Sequence, residues 1–160
     1  MRKNAMVCYF SASGVTATVA KDIADAIGVV TYEIEPKVKY TADDLNWQKD
    51  DSRSNREMND VKSRPEIGGE PANIDGMDVI FLGFPIWWYT APRIINTFLE
   101  EYDFSGKHVV LFATSGGTDI ERSIKDLQNS YTRIHFDGGK KLDVGTPKQE
   151  LRAWASKYVS

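Results

Sequence analysis

Short apolar runs alternate with amphipathic segments along nearly the whole chain, and this alternation constrains the fold more than any other feature. Ala5 to Phe10 (AMVCYF), Val29 to Ile34, Asp78 to Phe84 (DVIFLGF) and His108 to Ala113 (HVVLFA) read as strands. A fifth strand lies near Arg133 to Leu142, interrupted by Asp137-Gly138-Gly139. Helical spacing marks Val19, Ala20, Ile23, Ala24 and Ile27 in a helix from Thr16 to a stop at Gly28, and Ile94, Ile95, Phe98, Leu99 and Tyr102 in a helix from Pro92. Asp119 to Ser130 forms a further helix. The closing helix is expected to start at a capping box, Thr146-Pro147-Lys148-Gln149, and to bury Leu151, Trp154, Ala155 and Tyr158. Strands that alternate with helices in this way build an α/β, three-layer, doubly wound parallel sheet of five strands. With 160 residues, 41% of them hydrophobic, a single domain over 1–160 is expected.

In such a sheet, ligands bind at the carboxyl ends of the strands. The first strand ends in Ser11-Ala12-Ser13-Gly14-Val15-Thr16 and a helix follows at once. The unpaired N–H groups of a first helical turn, the helix dipole and the hydroxyls of Ser11, Ser13 and Thr16 together make a cradle for a phosphate. Missing chemistry narrows which phosphate. Gly14 is followed by Val15 rather than Lys-Ser/Thr, so this is not a triphosphatase loop, and a single glycine does not make a dinucleotide fingerprint. A tyrosine phosphatase would carry an arginine six positions after Cys8, where Gly14 stands. No lysine or arginine occurs among residues 4 to 20. Neutral donors around an anion suit a cofactor phosphate that must stay unreacted.

The third strand runs into Pro85-Ile86-Trp87-Trp88-Tyr89-Thr90-Ala91-Pro92. Three consecutive aromatics on a loop are poorly explained by core packing, whereas a flat aromatic ligand would stack on them. One of Trp87 and Trp88 is expected to pack inward, with Trp88 favoured as the ligand-facing ring. After the fourth strand, Thr114-Ser115-Gly116-Gly117-Thr118 offers backbone N–H groups and close approach.

These three loops, in order and each after a strand, resemble those of the flavodoxin family, and the resemblance spans nearly the whole chain. It implies a strand order of 2-1-3-4-5 and non-covalently bound FMN. Ser11, Ser13, Gly14, Val15 and Thr16 match the loop that grips the FMN phosphate. Pro85, Ile86, Trp87, Trp88 and Tyr89 match the loop against the isoalloxazine, and Thr114, Ser115, Gly116 and Gly117 the loop at its pyrimidine edge. Val15 departs from the asparagine common in this family and Ala17 from an acidic residue often found there.

Other features bound the partners. A net charge of −3 and a pI near 5.4 argue against nucleic acid. No apolar run approaches a membrane span and the opening MRKNAMVCYF lacks a signal-peptide layout, so a cytoplasmic protein is expected. Cys8, the only cysteine, reads as a buried inert thiol. His108 and His135 have no companion at metal-ligand spacing and are assigned structural roles; no metal site is expected. Glu100-Glu101 read as solvated. Residues 35 to 77 form a charged excursion in place of a crossover helix, with two short capping signatures, Thr41 to Asp44 and Ser54 to Glu57. It is either a lid, with Trp47 or Arg53 and Arg56 reaching the ligand, or a solvated surface loop.

The resemblance admits three functions: an electron carrier, an FMN-dependent NAD(P)H:quinone-type oxidoreductase whose Pro-x-Trp loop the segment at Pro85 also resembles, and an FMN-binding protein without turnover. The redox partner is a protein or a small electron acceptor, with no catalytic side chain assigned and the oligomeric state open. Because Pro85 to Pro92 contains no glycine, a backbone flip beside the flavin is expected to be disfavoured and electrons to move in pairs.

Overall fold

The computed structural model describes residues 2–160. β1 (Ala5–Tyr9), β2 (Val30–Glu33), β3 (Val79–Pro85), β4 (His108–Thr114) and β5 (His135–Lys141) form one parallel sheet in the order β2-β1-β3-β4-β5. Five helices accompany them: α1 (Val15–Ile27), α2 (Arg53–Asn59), α3 (Arg93–Glu101), α4 (Glu121–Ser130) and α5 (Lys148–Val159). Fold class and strand order are those expected from the sequence.

Strand periodicity divides the interior into two cores, one on each face of the sheet. On one face Val7, Phe81, Val110 and Phe112 pack against Val19, Ala20 and Ile23 of α1 and Leu151, Trp154 and Ala155 of α5. On the other, Cys8, Ile80, Leu82 and Leu111 meet Ile94, Ile95 and Phe98 of α3 and Leu127 of α4. Each fully buried Leu, Ile or Phe contributes roughly 1.5–3 kcal/mol, so the central strands are the stable body on which the loops are mounted. Gly83 is required by this packing: a Cβ there would lie 2.1 Å from Cζ of Phe112, whose ring crosses β3 at that point.

Asp137-Gly138-Gly139 does not interrupt the last strand as expected. The β4–β5 register steps from Val109↔Phe136 to Val110↔Gly138, which leaves Asp137 as the extra residue of a bulge, and Gly138 supplies a φ of 128°. The capping box of α5 does not form either. Pro147 (φ −58°, ψ 141°) occupies the N-cap, one residue too late for the box, and the Thr146 hydroxyl instead donates to the Asp143 carbonyl at 2.7 Å.

The long connection between β2 and β3 carries α2 and folds back over the carboxyl ends of the strands. The Lys37 N–H donates to the Glu66 carbonyl and the Gly68 N–H to that of Glu35, each at 2.8 Å, and these bonds close its base. Thr41 and Asp44 bond reciprocally, Thr41 N–H to Asp44 Oδ2 at 3.0 Å and Asp44 N–H to Thr41 Oγ1 at 3.1 Å, but they close a turn and not a helix. The helix start falls at Ser52, whose hydroxyl accepts from the Asn55 N–H, while Ser54 lies inside α2 and is buried.

Candidate functional site

The cradle forms because Gly14, at φ 96°, takes the N-cap of α1 in a left-handed conformation. Ser11 Oγ accepts from both the Gly14 and the Ala17 N–H at 3.1 Å, fixing the turn. The N–H groups of Ser13, Val15 and Thr16 and the exposed Ser13 hydroxyl take no partner among the described residues. They sit at the positive end of a 13-residue helix with no acidic residue in its first turn. Thr16 is placed differently from Ser13. Its side chain is 1% exposed, and Oγ1 shares a 2.7 Å hydrogen bond with Oγ1 of buried Thr114. That bond ties the first loop to the third.

The aromatic loop is a two-residue hairpin. The Trp87 N–H donates to the Thr90 carbonyl at 2.9 Å and the Thr90 N–H to the Trp87 carbonyl at 3.0 Å. Trp88 (φ 51°) and Tyr89 (φ 68°) both lie in the left-handed region, the signature of a type I′ turn that ordinarily holds Asn-Gly. A non-glycine residue there costs roughly 1–2 kcal/mol. The absence of glycine therefore does not keep positive φ out of this loop: Trp88 and Tyr89 adopt it at that cost. Trp87 is the inward ring, edge-on to Phe10 at 5.7 Å and to Tyr40 at 5.4 Å. Trp88 and Tyr89 are turned outward, 46% and 61% exposed. Strain held at a ligand-sized aromatic surface is a mark of a functional loop.

The connection between β2 and β3 covers this hairpin. Nε1–H of Trp88 donates to Oδ1 of Asn55 at 2.8 Å, and Nδ2 of Asn55 donates to the carbonyls of Trp47 and Lys49. A cavity of about 410 Å³ lies between the two elements, with Leu45, Trp47 and Met58 on one wall and Ile86, Trp88, Tyr89 and Thr118 on the other. Trp47 thus reaches the site. Arg53 does not: its guanidinium lies 3.8 Å from the centre of the Tyr40 ring, pairs with Glu57 at 2.9 Å and donates to the Val38 carbonyl. Arg56 does not line the cavity. Arg93 is occupied as well, donating to the carbonyls of Glu57 and Met58 at the end of α2. Asn55, Leu45 and Met58 were not foreseen, since nothing local marks a residue whose partner is on a distant loop.

The third loop completes the site. Ser115 Oγ accepts from the Gly117 N–H at 3.1 Å and donates to the Thr118 carbonyl at 2.6 Å. A Cβ at Gly116 or Gly117 would meet nothing within 4 Å, so both face open space. The Ile86 N–H donates to the Thr114 carbonyl at 3.0 Å, which joins the second loop to the third beside Pro85. Away from this site, Cys8 is fully buried, and burial pushes its thiol far above the usual range; it is inert. Glu100 and Glu101 are exposed, as expected, and Glu100 accepts from Arg64 and Tyr131. The histidines, contrary to expectation, do have a companion: β4–β5 pairing sets His108 opposite His135, and Asp137 joins them.

A neutral anion cradle, an aromatic hairpin and a glycine-lined third loop on a 2-1-3-4-5 sheet define a flavodoxin-like α/β protein. The flavodoxin family model matches residues 4–158, and the chain belongs to that family. No curated protein matches it. Among solved structures it is similar to candidate flavoproteins from Bacteroides eggerthii (45% identity, 95% of each chain covered, TM-score 0.91) and Bacteroides uniformis (45% identity, 96% of this chain and 98% of that one, TM-score 0.90). A flavoprotein from Lactobacillus acidophilus, solved in complex with FMN, shares the fold at 21% identity, with 87% and 93% of the two chains covered and a TM-score of 0.72. No helix among the described residues is long and apolar enough to cross a membrane.

Proposed function

We propose that this chain is a redox protein that works through one non-covalently bound FMN in the cytoplasm. The cofactor is FMN: family membership gives the class, and the cradle fits its phosphate. The observation that carries the reading is the set of unpartnered N–H groups at Ser13, Val15 and Thr16, beside the free Ser13 hydroxyl and with no cationic side chain on this loop. Such a site holds a phosphate dianion by hydrogen bonds and the helix dipole. When bound, FMN supplies one- and two-electron chemistry. The protein's own contribution is positional. Gly116 and Gly117 leave room for a planar ring edge, the strained hairpin fixes the Trp88 and Tyr89 side chains, and the Thr16–Thr114 bond holds cradle and third loop at a set spacing.

One observation favours the oxidoreductase reading within this class. The 410 Å³ cavity touches the hairpin and Thr118 but no cradle residue, and its walls are chiefly apolar. It is large enough for a small planar acceptor such as a quinone. Titration of the apoprotein with FMN and with riboflavin tests the primary reading: FMN should bind far more tightly, and Ser13→Ala should weaken FMN alone by about 10- to 100-fold, the worth of one charge-assisted hydrogen bond. Equal affinity for the two flavins would defeat it. Mixing the loaded protein with NADH or NADPH and following flavin bleaching separates an oxidoreductase from a carrier.

A further inference from the structure

At the opposite end of the sheet, β4 and β5 begin with a facing pair of histidines. His108 and His135 are register partners, with ring centres 4.5 Å apart. Asp137 brings a carboxylate to the same spot: His108 Nδ1 lies 3.0 Å from Asp137 Oδ2 and His135 Nε2 lies 2.7 Å from Asp137 Oδ1. One ligand atom from each of the three falls within 4.8 Å of the others. β4, seven residues long, runs from this cluster to the third loop, about 20 Å at the usual rise per residue, so the cluster is no part of the flavin site.

We propose that His108, His135 and Asp137 bind a first-row divalent transition metal, of which Zn²⁺ is the fitting probe. Two imidazole nitrogens and one carboxylate oxygen are the donor set of three-ligand zinc sites, whereas Mg²⁺ and Ca²⁺ select oxygen. All three side chains reach solvent, at 37%, 65% and 25% exposure, so water can complete the coordination and the ion can enter without unfolding the strand. Residues 135 and 137 share a face of a strand, the face that His108 also presents from β4, so the carboxylate lies beside both imidazoles. The bulge leaves Asp137 outside the ladder register, with Gly138 opposite Val110. A single carboxylate already collects two imidazoles, and a cation at their meeting point would use the same three atoms. Its consequence is mechanical: β5 is an edge strand paired only with β4, and a metal would pin its first turn of ladder.

Isothermal titration and thermal unfolding of the FMN-loaded protein with ZnCl2, and with MgCl2 as a control, test this. One Zn²⁺ should bind per chain in the micromolar range, and the melting temperature should rise by about 5 °C or more at a hundredfold excess over Kd. Mg²⁺ should do neither. His135→Ala and Asp137→Asn, changes at solvent-accessible side chains, should each weaken Zn²⁺ at least tenfold and abolish the thermal shift, and a chelator should reverse it in the unsubstituted protein. Absence of saturable binding up to millimolar Zn²⁺, or an affinity unchanged in both variants, overturns the proposal without touching the flavin assignment.

Discussion

The indole N–H of Trp88 donates to the side-chain carbonyl of Asn55 across 2.8 Å, joining the aromatic hairpin to α2, 33 residues away in the chain. Asn55 is 3% exposed, and its amide nitrogen also serves the carbonyls of Trp47 and Lys49. One side chain therefore holds α2, the segment before it and the aromatic hairpin in a single arrangement. Asn55→Ala leaves an indole N–H and two carbonyls without their partner. The expected loss is about 2–3 kcal/mol of stability, with earlier proteolysis between residues 40 and 60. Urea unfolding and limited proteolysis check both; a change within 0.5 kcal/mol, roughly the range of ordinary surface substitutions, would show that the connection is held elsewhere.

Backbone strain at Tyr89 can be measured by comparing two substitutions that both remove the ring. Tyr89→Ala keeps a Cβ at φ 68°, whereas Tyr89→Gly does not. The glycine variant should be the more stable by about 1 kcal/mol, the reverse of the usual order for these residues within regular structure. An alanine variant as stable as the glycine variant in denaturant titration would mean that the turn relaxes when the ring is lost.

The parts of this molecule legible in the sequence are those set by local pattern. Ala5–Tyr9 and Val79–Pro85 announce themselves as buried strands, and Ser11 to Thr16 marks the cradle because helix starts have recognisable chemistry. What was not legible depends on distance in the chain or on strain. The Thr16–Thr114 bond spans 98 positions, so a hydroxyl that reads as a ligand donor is in fact turned to another loop. Positive φ at Trp88 and Tyr89 runs against their preference and arises from the hydrogen-bonded Trp87–Thr90 pair around them. His108 and His135 looked unrelated until strand register set them side by side.

The buried Thr16–Thr114 pair should show strong coupling. Thr16→Val alone leaves the Thr114 hydroxyl dry and unpartnered, at a cost of about 1–3 kcal/mol. Thr16→Val with Thr114→Val removes both polar groups at nearly constant shape and should recover much of that loss. Chemical denaturation of the four proteins gives the coupling, expected at about 1 kcal/mol or more. Additive single effects would sink the claim that the two hydroxyls are mutual partners.

Alkaline stability should be governed by tyrosines. Burial, then the hydrogen bond to Glu57, raises Tyr40 above the ordinary range; burial also raises Tyr32, and burial followed by the Glu100 contact raises Tyr131 to about 12. In each case the folded value exceeds the unfolded value of about 10. Their contribution is thus present in full below pH ~10 and is lost as the pH climbs toward the folded values, because the unfolded chain ionises first. Tyr40, the most deeply enclosed of the three, adds up to about 1.4 kcal/mol per pH unit to the fall in this window, and the more exposed Tyr32 and Tyr131 add less because solvent screens them. Tyr40→Phe removes one titrating group, and although it also loses the Glu57 bond at every pH, that loss shifts the whole curve without steepening it. Unfolding free energies measured from pH 8 to 11.5 should therefore fall less steeply above pH 10 in the Tyr40→Phe variant than in the unsubstituted protein, and parallel curves would show that Tyr40 ionises as readily in the folded chain as in the unfolded one.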